Sequence, residues 1–295
     1  VDSRSHSCQM DVFHLYLLVG FVTCHVSSTV SRVFDNVRIV GGKPARIGEF
    51  PWIVSLQTPH GFCFCGGSLI HPKFILTAAH CTPWINKATK VVLGEYKLGQ
   101  VEGSEVNADI IQVIQHPDYD DVSQINDIAV IETHPISFTS FIKPIKLPAP
   151  YEETSGKVTA AGWGRIEEEG EYSDTLLKVV VNAWSDEKCR EESYYYDFEL
   201  LENMLCAGVL NGGKDSCEGD SGGPLIKFKS QEYYLVGVVS RGRGCASPHY
   251  PGIYTEVSYF VDWIADVAGI PITGTTTMET INPSLDAQNK NQSKQ

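Results

Sequence analysis

Apolar residues in this chain come in runs too short for helices. Phe74-Ile75-Leu76-Thr77, Lys90-Val91-Val92-Leu93, Ile110-Ile111-Gln112-Val113-Ile114 and the stretch from Tyr233 to Ser240 are rich in β-branched and aromatic residues, with Gly and Pro between them. Such side chains lose freedom in a helix and pack well on a pleated surface. Short strands separated by turn signals predict an antiparallel all-β protein. One segment alone has helical spacing: Phe260, Trp263, Ile264 and Val267. Ser258 is its expected N-cap, Gly269 its stop, and Pro271 prevents continuation. At 295 residues and 42% hydrophobic, the chain can fill one large all-β domain.

The two ends read differently. Val12 to Val22 is the one long apolar run, and eleven residues are too few to span a bilayer. The run fits a signal-peptide core, with Met10 as the start, Ser27 and Ser28 allowing cleavage, and Asp11 as an unusual neighbour. Residues 1–28 are therefore expected to be a leader, and no membrane anchor is expected. Nine cysteines agree with a secreted, extracellular chain in an oxidising compartment. From Thr273 onward Thr, Asn, Gln and Ser dominate, so residues 270–295 are expected to be a disordered tail carrying the glycosylation sequon Asn291-Gln292-Ser293. The net charge is −13, which argues against a nucleic-acid partner.

Chemistry is concentrated in Gly219-Asp220-Ser221-Gly222-Gly223-Pro224. Glycine lets the backbone turn sharply beside a ligand. Two N–H groups, of Gly219 and Ser221, can then face one point next to the Ser221 hydroxyl, as an oxyanion hole requires. A serine nucleophile also needs a base and an orienting acid. His80 in Thr77-Ala78-Ala79-His80-Cys81 and Asp127 in Asn126-Asp127-Ile128-Ala129-Val130 supply them. Asp127 stands beside an apolar run, where an unpaired carboxylate would be costly.

With those motifs in that order, the chain resembles the trypsin-like (chymotrypsin-fold) serine proteases, from roughly Ile39 to Gly269. Arg38-Ile39-Val40-Gly41-Gly42 is similar to the family's activation site. The resemblance implies two antiparallel six-stranded β-barrels packed together, ending in a C-terminal helix. It implies a protease domain over 39–269, preceded by a short activation peptide over 29–38. Cleavage at Arg38–Ile39 would free an ammonium at Ile39 to pair with Asp220. Asp215 matches the base of the primary pocket, with Gly242 and Gly252 at its walls and Ser240 alongside. Arg or Lys before the scissile bond is implied. The implied partners are protein substrates, an activating trypsin-like protease or the enzyme itself, and protein inhibitors; no cofactor is needed for catalysis.

The resemblance also implies the disulfides Cys65–Cys81, Cys189–Cys206 and Cys217–Cys245. A fourth family bridge is missing on both sides, where Val158 and Lys227 stand. Cys63 is left over, and Cys8 and Cys24 are expected to leave with the leader. Glu95, Lys97, Gln100, Glu102 and Glu105 resemble the family's calcium loop, Lys97 and Gln100 through their carbonyls, with a merely solvated acidic turn as the alternative. Arg241 stands where the family usually has Trp. Arg243 shares its face in an extended strand. The pair suggests a preference for acidic upstream residues, such as Asp35 in Asp35-Asn36-Val37-Arg38, and so slow self-activation. A non-catalytic homologue should have lost a triad residue, and none is lost here. A metal-dependent hydrolase would carry His-Glu-x-x-His, which this chain lacks.

Overall fold

The computed structural model describes residues 39–196 and 199–271. The leader, the activation peptide to Arg38 and the sequon lie outside the described residues. So does the tail from 272 onward.

The chain first lays down β1 (Lys43–Pro44), an edge piece of the second sheet. The first sheet then forms from β2 (Ile53–Gln57), β3 (Cys63–His71), β4 (Phe74–Thr77), β5 (Lys90–Leu93), β6 (Val106–Ala108), β7 (Ile110–Gln115) and β8 (Ala129–Thr133). Its order is β6-β5-β2-β3-β4-β8-β7, all antiparallel. No ladder joins β6 to β7. They are consecutive, with only Asp109 between them, so the chain itself bends from one edge of the sheet to the other. Counted as one bent strand they make six, in a half-barrel rather than a barrel closed by hydrogen bonds.

The second sheet adds β9 (Gly156–Gly162), β10 (Leu177–Ala183), β11 (Met204–Gly208), β12 (Pro224–Lys229), β13 (Glu232–Arg241) and β14 (Gly252–Glu256). Pairing of β9 with both β10 and β12 closes these six into a barrel. Val158, Leu177, Val179, Val181, Leu225 and Tyr254 fill its centre. Closure leaves β-branched residues buried on one face and removes the free edges that an open sheet exposes.

Two short α-helices complete the domain. α1 (Asp186–Glu192) was not expected from its spacing. Its signal is the cap: the Ser185 hydroxyl accepts from Lys188 N, and Asp186 and Glu187 fill the first turn. α2 (Val261–Ala268) is the anticipated C-terminal helix. It starts later than its capping signal predicts, because Val257–Phe260 forms a 3-10 turn first. Val257 and Phe260 are drawn into the core, and tertiary packing overrides the cap. Ser258 is left buried without a side-chain hydrogen-bond partner. Gly269 ends the helix in the left-handed region at φ 61°, as its position suggested. Ile270 still packs on the first core, so the folded part extends past residue 269. Among the described residues, no helix is long and apolar enough to cross a membrane.

Candidate active site

Each proposed catalytic group comes from the end of a strand. β4 runs into a 3-10 helix, Ala79–Trp84, whose second residue is His80. Asp127 precedes β8, after Asn126 in the left-handed region at φ 56°. Asparagine tolerates that conformation better than most residues. The carboxylate of Asp127 is wholly buried. Its Oδ1 accepts from His80 N at 2.9 Å, and its Oδ2 lies 2.7 Å from His80 Nδ1. Ser240 Oγ donates to the same Oδ2 at 2.6 Å, and Thr255 Oγ1 donates to the Asp127 carbonyl at 2.7 Å. A buried carboxylate is tolerable only with such a full set of donors. Ser240, expected beside substrate, thus also anchors the acid. Thr255 was not anticipated, because nothing in sequence links it to a residue 128 positions away.

Ser221 sits where the two sheets meet. Gly66 N, in β3, donates to the Ser221 carbonyl at 2.7 Å. A Cβ on Gly222 would lie 2.3 Å from Thr77 Oγ1, three residues before His80, so only glycine allows this approach. The Ser221 hydroxyl makes no hydrogen bond to His80 in this structure; such contacts are often long before substrate binds. Gly219 has φ 92°, and neither its N–H nor that of Ser221 donates to an acceptor among the described residues. Both are free to meet an incoming oxyanion.

Asp220 points away from the nucleophile into the interior. It accepts from Gly164 N at 2.8 Å and from Cys217 N at 3.0 Å. Burial pushes its carboxyl up to about 6, against the lowering effect of the Cys217 and Gly164 N–H groups. Ile39 is wholly buried among the second barrel's core residues, and Val40 accepts from Asp215 N. Burying an Ile side chain stabilises by about 1.5–3 kcal/mol. Ile39 nevertheless adopts φ 57°, an outlier for a β-branched residue.

Asp215 lies at the base of a cavity of about 480 Å³ that also borders Ser221, Gly242 and Gly252. Its Oδ2 accepts from Ala246 N at 3.2 Å, while its buried Oδ1 has no partner. A Cβ on Gly252 would stand 2.7 Å from that Oδ1, so the glycine keeps the carboxylate reachable. Burial raises the Asp215 carboxyl to about 7.

Arg241 and Arg243 converge on one residue. The Arg241 guanidinium donates to the carbonyls of Ser123 at 3.2 Å and Glu199 at 2.6 Å. Arg243 pairs with the Glu199 carboxylate at 2.7 Å. Both charges are therefore already engaged with the protein. The three anticipated disulfides are present. Cys65 and Cys81, which flank His80, thus offer no thiolate to a metal. Val158 is packed in the barrel and Lys227 donates to the Ser155 carbonyl, so each side of the missing bridge has its own role. Cys63 is free and buried, and burial pushes its thiol up to about 12.

Carboxylate oxygens of Glu95, Glu102 and Glu105 all lie within 4.8 Å of one another. Glu95 Oε1 is buried with no partner, and burial together with Glu105 and Glu102 raises the Glu95 carboxyl. The Lys97 ammonium turns away to Asp174, 3.7 Å off. The Lys97 carbonyl accepts from Gln100 N in the loop's own turn. The set suits a hard divalent cation.

Comparisons with known proteins agree with this architecture. Residues 39–264 match the family model Trypsin. Trypsin-1 of Astacus astacus is 42% identical over 234 residues, covering 77% of this chain and 98% of that protein. Trypsin II-P29 of Gallus gallus is 38% identical over 234 residues, 79% of this chain and 90% of that protein. The proclotting enzyme of Tachypleus tridentatus is 35% identical over 251 residues, 78% of this chain and 66% of that protein. By this match and by its barrel architecture, the chain belongs to the trypsin family of serine proteases.

Proposed function

We propose that this chain is the zymogen of a secreted serine endopeptidase that cleaves after Arg or Lys. One observation carries the reading: a buried, unpaired Asp215 oxygen faces the same cavity as Ser221. A long cationic side chain seated there would neutralise Asp215 and bring its carbonyl to Ser221. A neutral side chain would leave the carboxylate desolvated and unpaired.

The chemistry follows from the hydrogen bonds. Ser221 Oγ attacks the carbonyl carbon and its proton passes to His80 Nε2. Asp127 holds His80 Nδ1–H, which fixes the tautomer and supports the positive ring. The carbonyl oxygen becomes an oxyanion held by the Gly219 and Ser221 N–H groups. The imidazolium then protonates the leaving amine, giving an acyl-enzyme. Water repeats the sequence and frees the acid.

Activation rests on Asp220. Its present donors are backbone N–H groups, and it lacks a cation. Hydrolysis of Arg38–Ile39 would create an α-ammonium, which is charged at neutral pH. Breaking a buried pair of this kind costs roughly 3–5 kcal/mol. That is enough to decide whether the Gly219 loop is ordered. The relative named a proclotting enzyme is consistent with a precursor form. Arg38→Gln is expected to stay latent when incubated with a trypsin-like protease, while the unmutated chain gains activity. Release of peptide fluorophore, with N-terminal sequencing for Ile39, reads both. Full activity of the intact Arg38→Gln chain would refute the zymogen reading.

The Glu95–Glu105 loop would hold a structural Ca²⁺ through Glu95, Glu102 and Glu105, with the carbonyls of Lys97 and Gln100 completing the set. The ion would neutralise three close carboxylates and take no part in catalysis. Millimolar Ca²⁺ is expected to raise the melting temperature by mass action on the native state. Glu95→Gln combined with Glu105→Gln should abolish the shift. An unmutated protein whose melting point ignores Ca²⁺ would leave the loop a solvated turn.

A further inference from the structure

The cavity above Asp215 has charges at its mouth as well as its base. Arg165, Glu168, Glu169, Glu218 and Arg241 all line it. The cations there are committed. Arg165 pairs with Glu218 and donates to the Gly170 carbonyl, and Arg241 is held by two carbonyls. Glu168 and Glu169 are exposed and have no hydrogen bond or ion pair among the described residues. Glu168 reaches the lip of the cavity at Gly244: a Cβ there would lie 2.7 Å from Glu168 Oε1. Gly244 is two residues from Ala246, whose N–H binds Asp215. The lip carboxylate thus stands over a wall that leads down to the buried one. Independently of the lip, Asp215 is only 2% exposed and presents an unpartnered oxygen to the same space.

One cation on a substrate cannot satisfy both places. In an extended peptide, side chains two residues apart point the same way, about 7 Å from each other. The residue two before the cleaved one therefore faces the lip while the cleaved residue fills the base. We infer that Glu168, assisted by Glu169, selects substrates with a second basic residue two positions before the cleaved Arg or Lys. This rests on Asp215 as the seat of the first cation. The chain's own activation segment has Asn36 at that position and Asp35 beside it. By this rule it is a several-fold poorer substrate than a segment with Lys or Arg at that place.

The test uses the enzyme cleaved at Arg38–Ile39 and matched peptides with Lys or Ala two positions before Arg. At low salt the Lys peptide should have a kcat/KM about three-fold higher, the size of a partly exposed ion pair. High salt should shrink the ratio. Glu168→Gln should bring it toward one, and Glu168→Lys below one. A third peptide with Leu in place of the cleaved Arg separates the two readings. If Arg is preferred to Leu but the Lys-to-Ala ratio is one, or survives Glu168→Gln, the lip proposal is overturned. If Arg is not preferred to Leu, the Asp215 reading fails first.

Discussion

Ser221→Ala is expected to lower kcat by about 10⁶-fold, the loss such a change causes in serine proteases. The variant should fold normally and still bind substrate, since the hydroxyl carries no hydrogen bond of its own among the described residues. Asp127→Asn should cost about 10⁴-fold, as it does in enzymes with this triad, because the amide favours the wrong His80 tautomer. It carries a structural penalty too. Oδ2 accepts from both His80 and Ser240, and an amide nitrogen there would confront at least one donor with another. Ser240→Ala isolates this effect, and should slow turnover far less than Asp127→Asn. Activity near that of the unmutated enzyme in either Ser221→Ala or Asp127→Asn would end the assignment.

Asp215→Ser should reduce kcat/KM on Arg and Lys peptides by about 10⁴-fold, the penalty for unpairing a buried polar partner in a recognition site. Peptides with a neutral residue at that place should lose little. Unchanged cleavage after basic residues would move the pocket elsewhere. A second readout is stability. Burial lifts the Asp215 carboxyl from 3.8 to about 7, so the folded protein holds that proton more tightly than the unfolded chain. The stability it contributes is complete below about pH 3.8 and disappears as pH rises through about 7. The whole difference between the two ends of that window is on the order of 4 kcal/mol. Asp215→Asn should therefore raise the uncleaved chain's melting temperature more at pH 8 than at pH 5. An equal gain at both pH values would mean the carboxyl is not held neutral by its surroundings.

Residues that carry their meaning in a local motif were legible from sequence. His80, Asp127 and Ser221 each sit in a run whose residue types already point to a nucleophile, its base and its orienting acid, whereas Asp215 was marked only by the family resemblance. The short β-branched runs likewise announced an antiparallel all-β protein; its division into two strand-built halves came from the family resemblance. What escaped depends on distant chain crossings. Ser240 reaches Asp127 across 113 residues, and no periodicity encodes that. Arg241 could be read as a cation, but its carbonyl acceptors at Ser123 and Glu199 come from two separate loops. Nothing in the sequence singles out Glu168 from its acidic neighbours, and only folding lays it against Gly244. Helix α1 was too short for its period to stand out, and Ser258 made a plausible cap that core packing overruled.

The left-handed backbone at Ile39 would give the proposed activation a direction. A β-branched residue held at φ 57° is crowded against its own backbone, at a cost of about 1–3 kcal/mol. Hydrolysis of the Arg38–Ile39 bond would remove that torsion, so the crowding would end with the cut. Rejoining the ends would have to restore the crowded geometry, and would also extract a charged amine from beside Asp220. Under the proposed activation the nick would be a ratchet: every molecule that passes through it would be committed, and the active population could be lowered by inhibition or destruction but not by resealing.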